Sequence, residues 1–251
     1  MNDAEWKVRV GLAACYRLVA QNGWTDLIFT HISARVPGSD HHYLINPFGL
    51  AFDEVTASNL VKIDLDGNKV DPSEHRIHKA GFVIHSAVHQ AREDANCIIH
   101  LHTPAGMAMS ALQCGLLPLT QHAMLFTGKV GYHESEGLAL DLAERERLAR
   151  DLGTNCVLVL KNHGTLVVGS TVAEAFSMQW HLEQACKAQM MALASGQPLN
   201  QPPAGIPEAI ARLGFNTKRL DEYTEGRSPL GWMEWPSLLR RLDRTDPGFR
   251  Q

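Results

Sequence analysis

The 251-residue sequence has little net charge and lacks three common motifs for nucleotide binding and nucleophilic catalysis. Lys and Arg number 23 against 27 Asp and Glu, a formal net charge of −4, so no basic field is present to attract nucleic acid. It contains no GxGxxG, GxxxxGK[ST] or GxSxG pattern. We therefore expect no nucleic-acid partner. The motifs of dinucleotide-binding proteins, P-loop NTPases and serine hydrolases are absent, so these three classes are disfavoured.

Cysteine is scarce, odd in number and widely spaced. The five positions lie in apolar surroundings: Cys15, Cys97, Cys114, Cys156 and Cys186. This pattern is typical of buried free thiols in a reducing compartment and not of a disulfide framework. Glu5, Lys7 and Arg9 interrupt any apolar run of the kind found in a signal peptide. We therefore expect a cytoplasmic protein.

Charged side chains are absent from residues 95–128, a stretch long enough to span a membrane. Histidine, glutamine and proline divide it into short pieces: His100, His102, Pro104, Gln113, Pro118, Gln121 and His122. Such pieces are too short and too polar to cross a bilayer. We expect no membrane partner and interpret the stretch as a buried core segment that carries a polar site.

The remaining pattern alternates strands with amphipathic helices, which predicts an α/β fold. A domain over 1–196 is expected, followed by a proline-rich and charged extension over 197–251 that packs on the domain or on a neighbouring subunit. The spacing predicts helices over 4–22, 77–92, 103–114, 138–152 and 171–193, and a helix start over 56–59. It predicts strands over 27–36, 42–45, 61–65, 96–101, 156–160 and 165–168.

Histidine is frequent, with 13 residues, and its spacing suggests metal binding. His100 and His102 end a predicted strand, where side chains two residues apart point to the same face. His163 ends another apolar strand and is followed by Gly164, which permits a sharp turn. Three histidines that converge from two strand ends could bind one cation and leave coordination positions open, which is typical of catalytic sites.

Alternatives remain for each histidine. An isolated pair such as His100 and His102 is also compatible with two polar residues on an exposed strand. His85 and His89 have the spacing of protease ligands, but the glutamate of HExxH is missing between them. Those two, like His75, His78 and His181, are interpreted as partly exposed or hydrogen-bonded helix histidines.

Several long segments resemble, in order, the class II aldolase/adducin family, and most closely its bacterial members similar to the adducin head. They are GWTDLIFTHISARV (23–36), LINPFGLAFDEVTASNLVKIDLDG (44–67), GFVIHSAVHQAREDANCIIHLHTPAGMAMSALQCGLLPL (81–119), GYHESEG (131–137) and VLVLKNHGTLVVG (157–169). The resemblance covers about residues 5–195. It implies a three-layer α/β/α sandwich with a mainly antiparallel central sheet, assembled as a homotetramer with sites at subunit interfaces.

The resemblance also implies a metal-dependent lyase that acts on a small molecule. The family's ligands fall on His100, His102 and His163, with one divalent ion per subunit, zinc first and Mn²⁺ or Fe²⁺ as alternatives. The implied reaction is retro-aldol cleavage of a C–C bond in a small hydroxy or oxo carbonyl or carboxylate compound, through a metal-stabilised enolate. A cation stabilises negative charge as it develops on oxygen.

Departures from the family pattern concern the acid/base and phosphate groups. The family's catalytic glutamate falls on Gly81, and Glu74 would need a seven-residue shift to replace it. Thr30 and His31 stand where the aldolases have a phosphate-binding glycine–asparagine pair, so a carboxylate substrate is favoured over a sugar phosphate. Near the family's catalytic tyrosine this chain has Gln121 and His122.

The predicted site assigns catalytic roles to His31, His122, Tyr132 and His133, and substrate binding to Thr30 and Gly49. Decarboxylation of an aromatic or oxo acid is the alternative within the lyases, since it needs an electron sink but no base on a hydroxyl. Iron at the same histidines would suit an oxygenase. A non-catalytic scaffold like the adducin head is the alternative of another class.

Overall fold

The computed structural model describes residues 1–39, 41–137, 143–214 and 230–251. Its seven strands are β1 His31–Arg35, β2 Tyr43–Ile45, β3 Val61–Ile63, β4 Cys97–Leu101, β5 Val130–His133, β6 Val157–Leu160 and β7 Gly164–Gly169. Its helices are α1 Asp3–Gln21, α2 Lys79–Ala91, α3 Pro104–Ser110, α4 Gln121–Met124, α5 Glu144–Leu152, α6 Val172–Ala194, α7 Ile206–Gly214 and α8 Glu234–Thr245. Short 3-10 turns lie at Phe52–Glu54 and Pro247–Arg250.

All seven strands form one sheet in the order β3-β2-β1-β4-β7-β6-β5. Only the pair β5 and β6 is parallel, and the other five pairs are antiparallel. The predicted α/β fold with a mainly antiparallel sheet is therefore confirmed, with the sheet mixed because β5 adds in parallel at one edge.

Helices cover both faces of the sheet because side chains alternate along each strand. On one face, Ile32 and Ile99 pack with α1, and Val157 and Val167 pack with α3 and α6. On the other face, strands β4, β6 and β7 pack with α2 and α5, and β2 and β3 pack with α2 alone. His31 of β1 and His100 of β4 pair across the two strands and face α2, which places the polar site on the α2 side of the sheet.

The segment before β1 departs from the predicted strand over 27–36. Leu27 and Thr30 have φ of 50° and 67°, in the left-handed region that side chains rarely adopt. Regular pairing therefore begins only at His31. This irregular loop brings Asp26 to the end of β4, as described below.

Other differences concern short elements. Residues 56–59 form turns and no helix, and β5 was not predicted because a four-residue strand with Gly131 carries no clear alternation. The predicted helix over 138–152 is described from Glu144 onward, and its first part lies outside the described residues. The remaining long helices and the strands from 96 onward lie within a few residues of their predicted bounds.

The C-terminal segment contacts the first helix. Phe249 and Leu242 are fully buried in the same core cluster as α1, and Arg17 forms an ion pair of 3.0 Å with Asp246. The helix α7 contacts α4. Within the described ranges, Leu242, Asp246 and Phe249 thus contact α1 or its core cluster in the same chain.

The cysteines differ in burial from the expectation. Cys15, Cys97 and Cys186 are buried, but Cys114 is exposed, because it lies in the turn region after α3 and not in a core element. All five are free thiols. None of the described helices combines the length and the apolar character needed to cross a membrane.

Candidate metal centre

Three histidines meet at one end of the strands β4, β6 and β7. His100 lies within β4, His102 follows the end of that strand, and Thr103 then caps α3 by accepting from the Gly106 N–H at 3.1 Å. His163 lies in the turn between β6 and β7. The strand ends therefore supply the convergence that the spacing predicted.

The turn that carries His163 depends on its neighbours. Asn162 has φ of 58°, a conformation that asparagine tolerates better than most residues. A Cβ at position 164 would lie 2.6 Å from the Leu101 carbonyl oxygen and 3.0 Å from Cδ2 of His102. Glycine at 164 is thus required for the close approach of the two ligand-bearing segments.

One nitrogen from each of His100, His102 and His163 lies within 4.8 Å of the others, and we call these three residues the ligand cluster. It is the only group of this kind in the part of the chain that the structure describes. The Nε2 atoms of His100 and His102 are 3.0 Å apart. Nitrogens that bind one zinc ion tetrahedrally at about 2.0–2.1 Å are about 3.3 Å apart, so this spacing is close to that of a bound pair.

The hydrogen bonds of the Nδ1 atoms of His100 and His102 decide whether the Nε2 atoms of these rings are donors or acceptors. Nδ1 of His100 lies 3.0 Å from the Thr165 carbonyl oxygen, and Nδ1 of His102 lies 2.9 Å from a carboxylate oxygen of Asp26. Both partners only accept, so each Nδ1 carries the proton. With neutral rings, the two Nε2 lone pairs face each other and repel unless a cation lies between them. The donor set therefore fits a divalent metal with oriented imidazole ligands.

Burial keeps the imidazoles of His100 and His163 neutral. Desolvation, followed by the neighbouring His31, holds the pKa of His100 well below its usual range. Desolvation and then His102 lower the pKa of His163 to about 4. A neutral imidazole is the form that ligates metal, so these rings are available as ligands at neutral pH.

His31 occupies the space beside the cluster. It pairs with His100 across β1 and β4, and the two ring centroids are 5.0 Å apart. A Cβ at Gly81 would lie 2.6 Å from Cδ2 of His31. The imidazole of His31 therefore fills the volume that the side chain of a glutamate at position 81 would enter.

Thr30 and Gly49, the two predicted substrate-binding residues, lie in loops near His31. The hydroxyl of Thr30 is buried and has no hydrogen-bond partner among the described residues, and its backbone keeps the left-handed conformation that glycine favours. Gly49 has φ of 107° and follows Phe48, whose ring packs on His78. His78 in turn stacks on His31 at 6.1 Å between centroids.

His122 lies in a second group of rings. It contacts Trp180 at 5.6 Å and His181 at 5.2 Å between centroids. Burial, followed by His181, lowers the pKa of His122. Within the ranges described, its ring contacts are with α6 and not with the ligand cluster.

Tyr132 and His133 point to opposite sides of β5. The hydroxyl of Tyr132 accepts from the Leu116 N–H at 3.0 Å. His133 is buried, with Nδ1 2.7 Å from Asp151 and Nε2 3.4 Å from Glu144. The hydrogen bonds of these two side chains in the described structure are therefore with the loop after α3 and with α5.

Sequence reasoning missed the residues that orient the ligands. Asp26 holds His102, and the Thr165 backbone holds His100, yet neither lies at a recognisable spacing from its partner. Ser33, His85 and His89 form a buried hydrogen-bonded group with His31. The spacing of this second group could have indicated it. Helix residues four apart, such as His85 and His89, lie on the same face of the helix, and strand residues two apart, such as His31 and Ser33, lie on the same face of the sheet.

Comparisons with known proteins identify the family. The family model described as Class II Aldolase and Adducin N-terminal domain matches residues 10–190. A solved aldolase II superfamily protein from Pseudomonas syringae is 47% identical with a TM-score of 0.91, and the match covers 100% of this chain and 98% of that one. The chain belongs to the class II aldolase/adducin family, which confirms the resemblance.

Two further matches are an aldolase and an adducin. An L-fuculose 1-phosphate aldolase from Glaciozyma antarctica is 27% identical with a TM-score of 0.83, over 98% of this chain and 93% of that one. Alpha-adducin from Rattus norvegicus is 41% identical over 99% of this chain but only 34% of the adducin. This chain thus corresponds to about a third of the adducin.

Proposed function

We propose that this protein is a metal-dependent lyase that cleaves a C–C bond of a small hydroxy or oxo carbonyl or carboxylate compound by a retro-aldol reaction. The observation that carries the proposal is the distance of 3.0 Å between the Nε2 atoms of His100 and His102. The Nδ1 atoms of both rings already donate hydrogen bonds to protein acceptors. A protein without a metal at this site would gain nothing from two facing lone pairs. The similarity to a fuculose-phosphate aldolase supports the same class.

The proposed reaction needs an electron sink and a hydrogen-bond partner for the substrate hydroxyl. In a retro-aldol cleavage the hydroxyl gives its proton to a base and becomes a carbonyl as the adjacent C–C bond breaks. The electron pair of that bond moves to the other carbonyl oxygen, and the enolate then takes up one proton at carbon. A divalent ion on the ligand cluster would act as a Lewis acid for that developing charge. Asp26 and Thr165 orient its ligands, and the buried His31 lies beside His100 as the proposed partner of the substrate hydroxyl.

Several finer assignments belong to the same proposal. Zinc is the proposed metal because three imidazole ligands suit it, with manganese and iron as alternatives. A homotetramer is proposed on the family resemblance, and light scattering would test it. The cytoplasm is favoured by the free thiols at five positions. Thr30, Gly49, His122, Tyr132 and His133 stay as proposed substrate-binding and proton-handling groups, ranked below His31 because their contacts are with other elements.

Decarboxylation and a scaffold are the two alternatives, each with an observation in its favour. The volume of the family glutamate at position 81 is filled by His31, and loss of CO₂ needs no base on a hydroxyl. The adducin matches, at 41% identity over nearly all of this chain, favour a scaffold. The scaffold predicts that the ligand cluster binds no metal.

The test combines metal content with product analysis. Untagged protein is analysed for metal, soaked with zinc, manganese or iron, and incubated with a panel of 2-oxo and hydroxy acids. Release of an aldehyde supports the retro-aldol proposal, and release of CO₂ supports the decarboxylase. Metal below about a tenth of an equivalent after soaking would contradict both and favour the scaffold. His75→Ala serves as a control, because that ring shares no contact with the cluster in the described residues.

A further inference from the structure

A chain of buried side chains runs from the Ala95 carbonyl to His31. Nδ1 of His89 lies 3.0 Å from the Ala95 oxygen, and Nε2 of His89 lies 2.8 Å from the hydroxyl of Ser33. That hydroxyl lies 2.5 Å from Nδ1 of His85, whose Nε2 lies 2.8 Å from Nδ1 of His31. The four side chains are at most 3% exposed. We call His31, His85, Ser33 and His89 the histidine relay.

Only one arrangement of protons satisfies the histidine relay when its rings are neutral. The Ala95 carbonyl can only accept, so Nδ1 of His89 is the donor and Nε2 of His89 must accept. The hydroxyl of Ser33 therefore donates its single hydrogen to Nε2 of His89 and accepts a hydrogen bond from Nδ1 of His85. Nε2 of His85 is then an acceptor, so the proton of His31 lies on Nδ1.

His89, the residue of the histidine relay that lies farthest from His31, is kept neutral by burial. Desolvation, followed by the nearby guanidinium of Arg35, lowers the pKa of His89 to about 3. Moving a proton from His31 along the whole group would leave a buried imidazolium at His89 beside Arg35. The group is therefore suited to hold one proton arrangement and not to carry protons away.

We propose that Ser33, His85 and His89 are positioning residues that lock His31 in its Nδ1–H tautomer and keep its Nε2 as a hydrogen-bond acceptor beside the ligand cluster. No hydrogen bond from Nε2 of His31 to another described residue is present. An acceptor there suits a ligand that presents a hydroxyl hydrogen, that is, a hydroxy carbonyl or hydroxy acid and not a simple oxo acid. The choice of ligand rests on the proposed function, whereas the tautomer does not.

The tautomer is measured directly by neutron diffraction from crystals of the deuterated full-length protein. The expected result is deuterium on Nδ1 and none on Nε2 of His31, His85 and His89, with the Ser33 deuteron directed to His89. Deuterium on Nε2 of His31 would overturn the proposal. This measurement needs no substrate, no metal and no variant, so it decides the tautomer even if the lyase proposal fails.

The ligand class is tested with two anions that differ by one hydroxyl. Affinities of the zinc-loaded protein for glycolate and acetate are measured by calorimetry, and their ratio is compared between the wild type and Ser33→Ala. We expect the preference for glycolate to fall about tenfold in Ser33→Ala, because without the hydroxyl the proton of His31 is no longer held on Nδ1. The matched control is Ser86→Ala, a fully buried serine on α2 that donates to the Val83 carbonyl and lies outside the histidine relay.

The remaining outcomes separate the two proposals. An unchanged preference in Ser33→Ala would remove the role of the histidine relay in ligand choice. If Ser33→Ala fails to fold, Ser33→Thr, which keeps the hydroxyl, is compared in the same way, and loss of the preference there despite the retained hydroxyl would also count against it. If the wild type binds neither anion, the lyase proposal loses support while the neutron result still decides the tautomer.

Discussion

The ligand cluster and the histidine relay are two neighbouring groups of histidines that differ in how their ring nitrogens are satisfied. In the histidine relay every nitrogen between Ala95 and Nδ1 of His31 has a complementary partner, and the group is complete within the protein. In the ligand cluster Nδ1 of His100 and Nδ1 of His102 each have an acceptor, but the Nε2 atoms of these two residues face each other. Burial alone thus does not distinguish the two groups, whereas a facing pair of acceptors does, and it supports the proposed metal site.

The largest expected effect concerns acid stability, to which the histidine relay contributes. Burial lowers the pKa of His89 to about 3 and holds those of His31 and His85 well below the usual range. The unfolded chain takes up these protons near pH 6.5 and the folded protein does not, so the free energy of unfolding falls as the pH drops below that value. Each histidine contributes up to about 1.4 kcal/mol per pH unit.

Urea unfolding at pH 7 and pH 5 measures this effect. Stability is expected to be lost between these values by several kcal/mol, about 4 kcal/mol per pH unit for three histidines at the upper limit. His89→Gln removes one of them and should make the dependence shallower. Equal stability at the two pH values would show that the histidines of the folded protein titrate normally.

The second prediction separates the two groups by metal retention. His102→Ala removes a ligand, so zinc affinity should fall about a thousandfold, equivalent to roughly 4 kcal/mol. His89→Gln should keep zinc affinity within about threefold and instead lower the free energy of unfolding by about 1–3 kcal/mol, because it leaves partners unsatisfied. Competition with a chelator and urea unfolding provide the two measurements. Equal zinc affinity in His102→Ala and the wild type would remove its assignment as a ligand.

The third prediction concerns the boundary between the groups. In Gly81→Ala the new Cβ would lie 2.6 Å from the ring of His31, so the ring must move or the helix must shift. We expect a loss of about 1–3 kcal/mol in the free energy of unfolding. The double variant Gly81→Ala with His31→Ala should lose less than the sum of the two single changes. Additive losses would mean that the two positions do not compete for space.

The smallest expected effect concerns the carboxylate that orients His102. Asp26→Asn keeps the shape but removes the charge, and zinc affinity should fall about tenfold to a hundredfold. Glu74→Gln, which changes an exposed carboxylate on the segment before α2, should alter zinc affinity less than twofold. Chelator competition measures both. A loss in Glu74→Gln equal to that in Asp26→Asn would indicate a general effect of net charge.

Part of the fold and of the candidate site could be predicted from the sequence. The family, the α/β class and the long elements followed from ordered motifs and periodicity, because these depend on local spacing. The convergence of His100, His102 and His163 also followed from strand-end reasoning, and the structure places their nitrogens together. Long-range pairings were not accessible in this way.

The orienting residues illustrate that limit. Asp26 reaches His102 through a loop with left-handed Leu27 and Thr30, and residues at these positions carry no sequence signal for positive φ. His85 and His89 were interpreted as partly exposed or hydrogen-bonded helix histidines. They are hydrogen-bonded and buried, but their partner Ser33 is 52 residues from His85 in the chain. Only the register of β1 against β4 and the packing of α2 bring them together.

The most direct test is a crystal structure of the zinc-loaded protein recorded at the zinc absorption edge. We predict one zinc ion per subunit, bound by Nε2 of His100, Nε2 of His102 and one nitrogen of His163 at about 2.0–2.1 Å, with its remaining positions open to solvent or substrate. Zinc found only at other residues, such as the carboxylates around His133, or absent from the ligand cluster, would contradict the account.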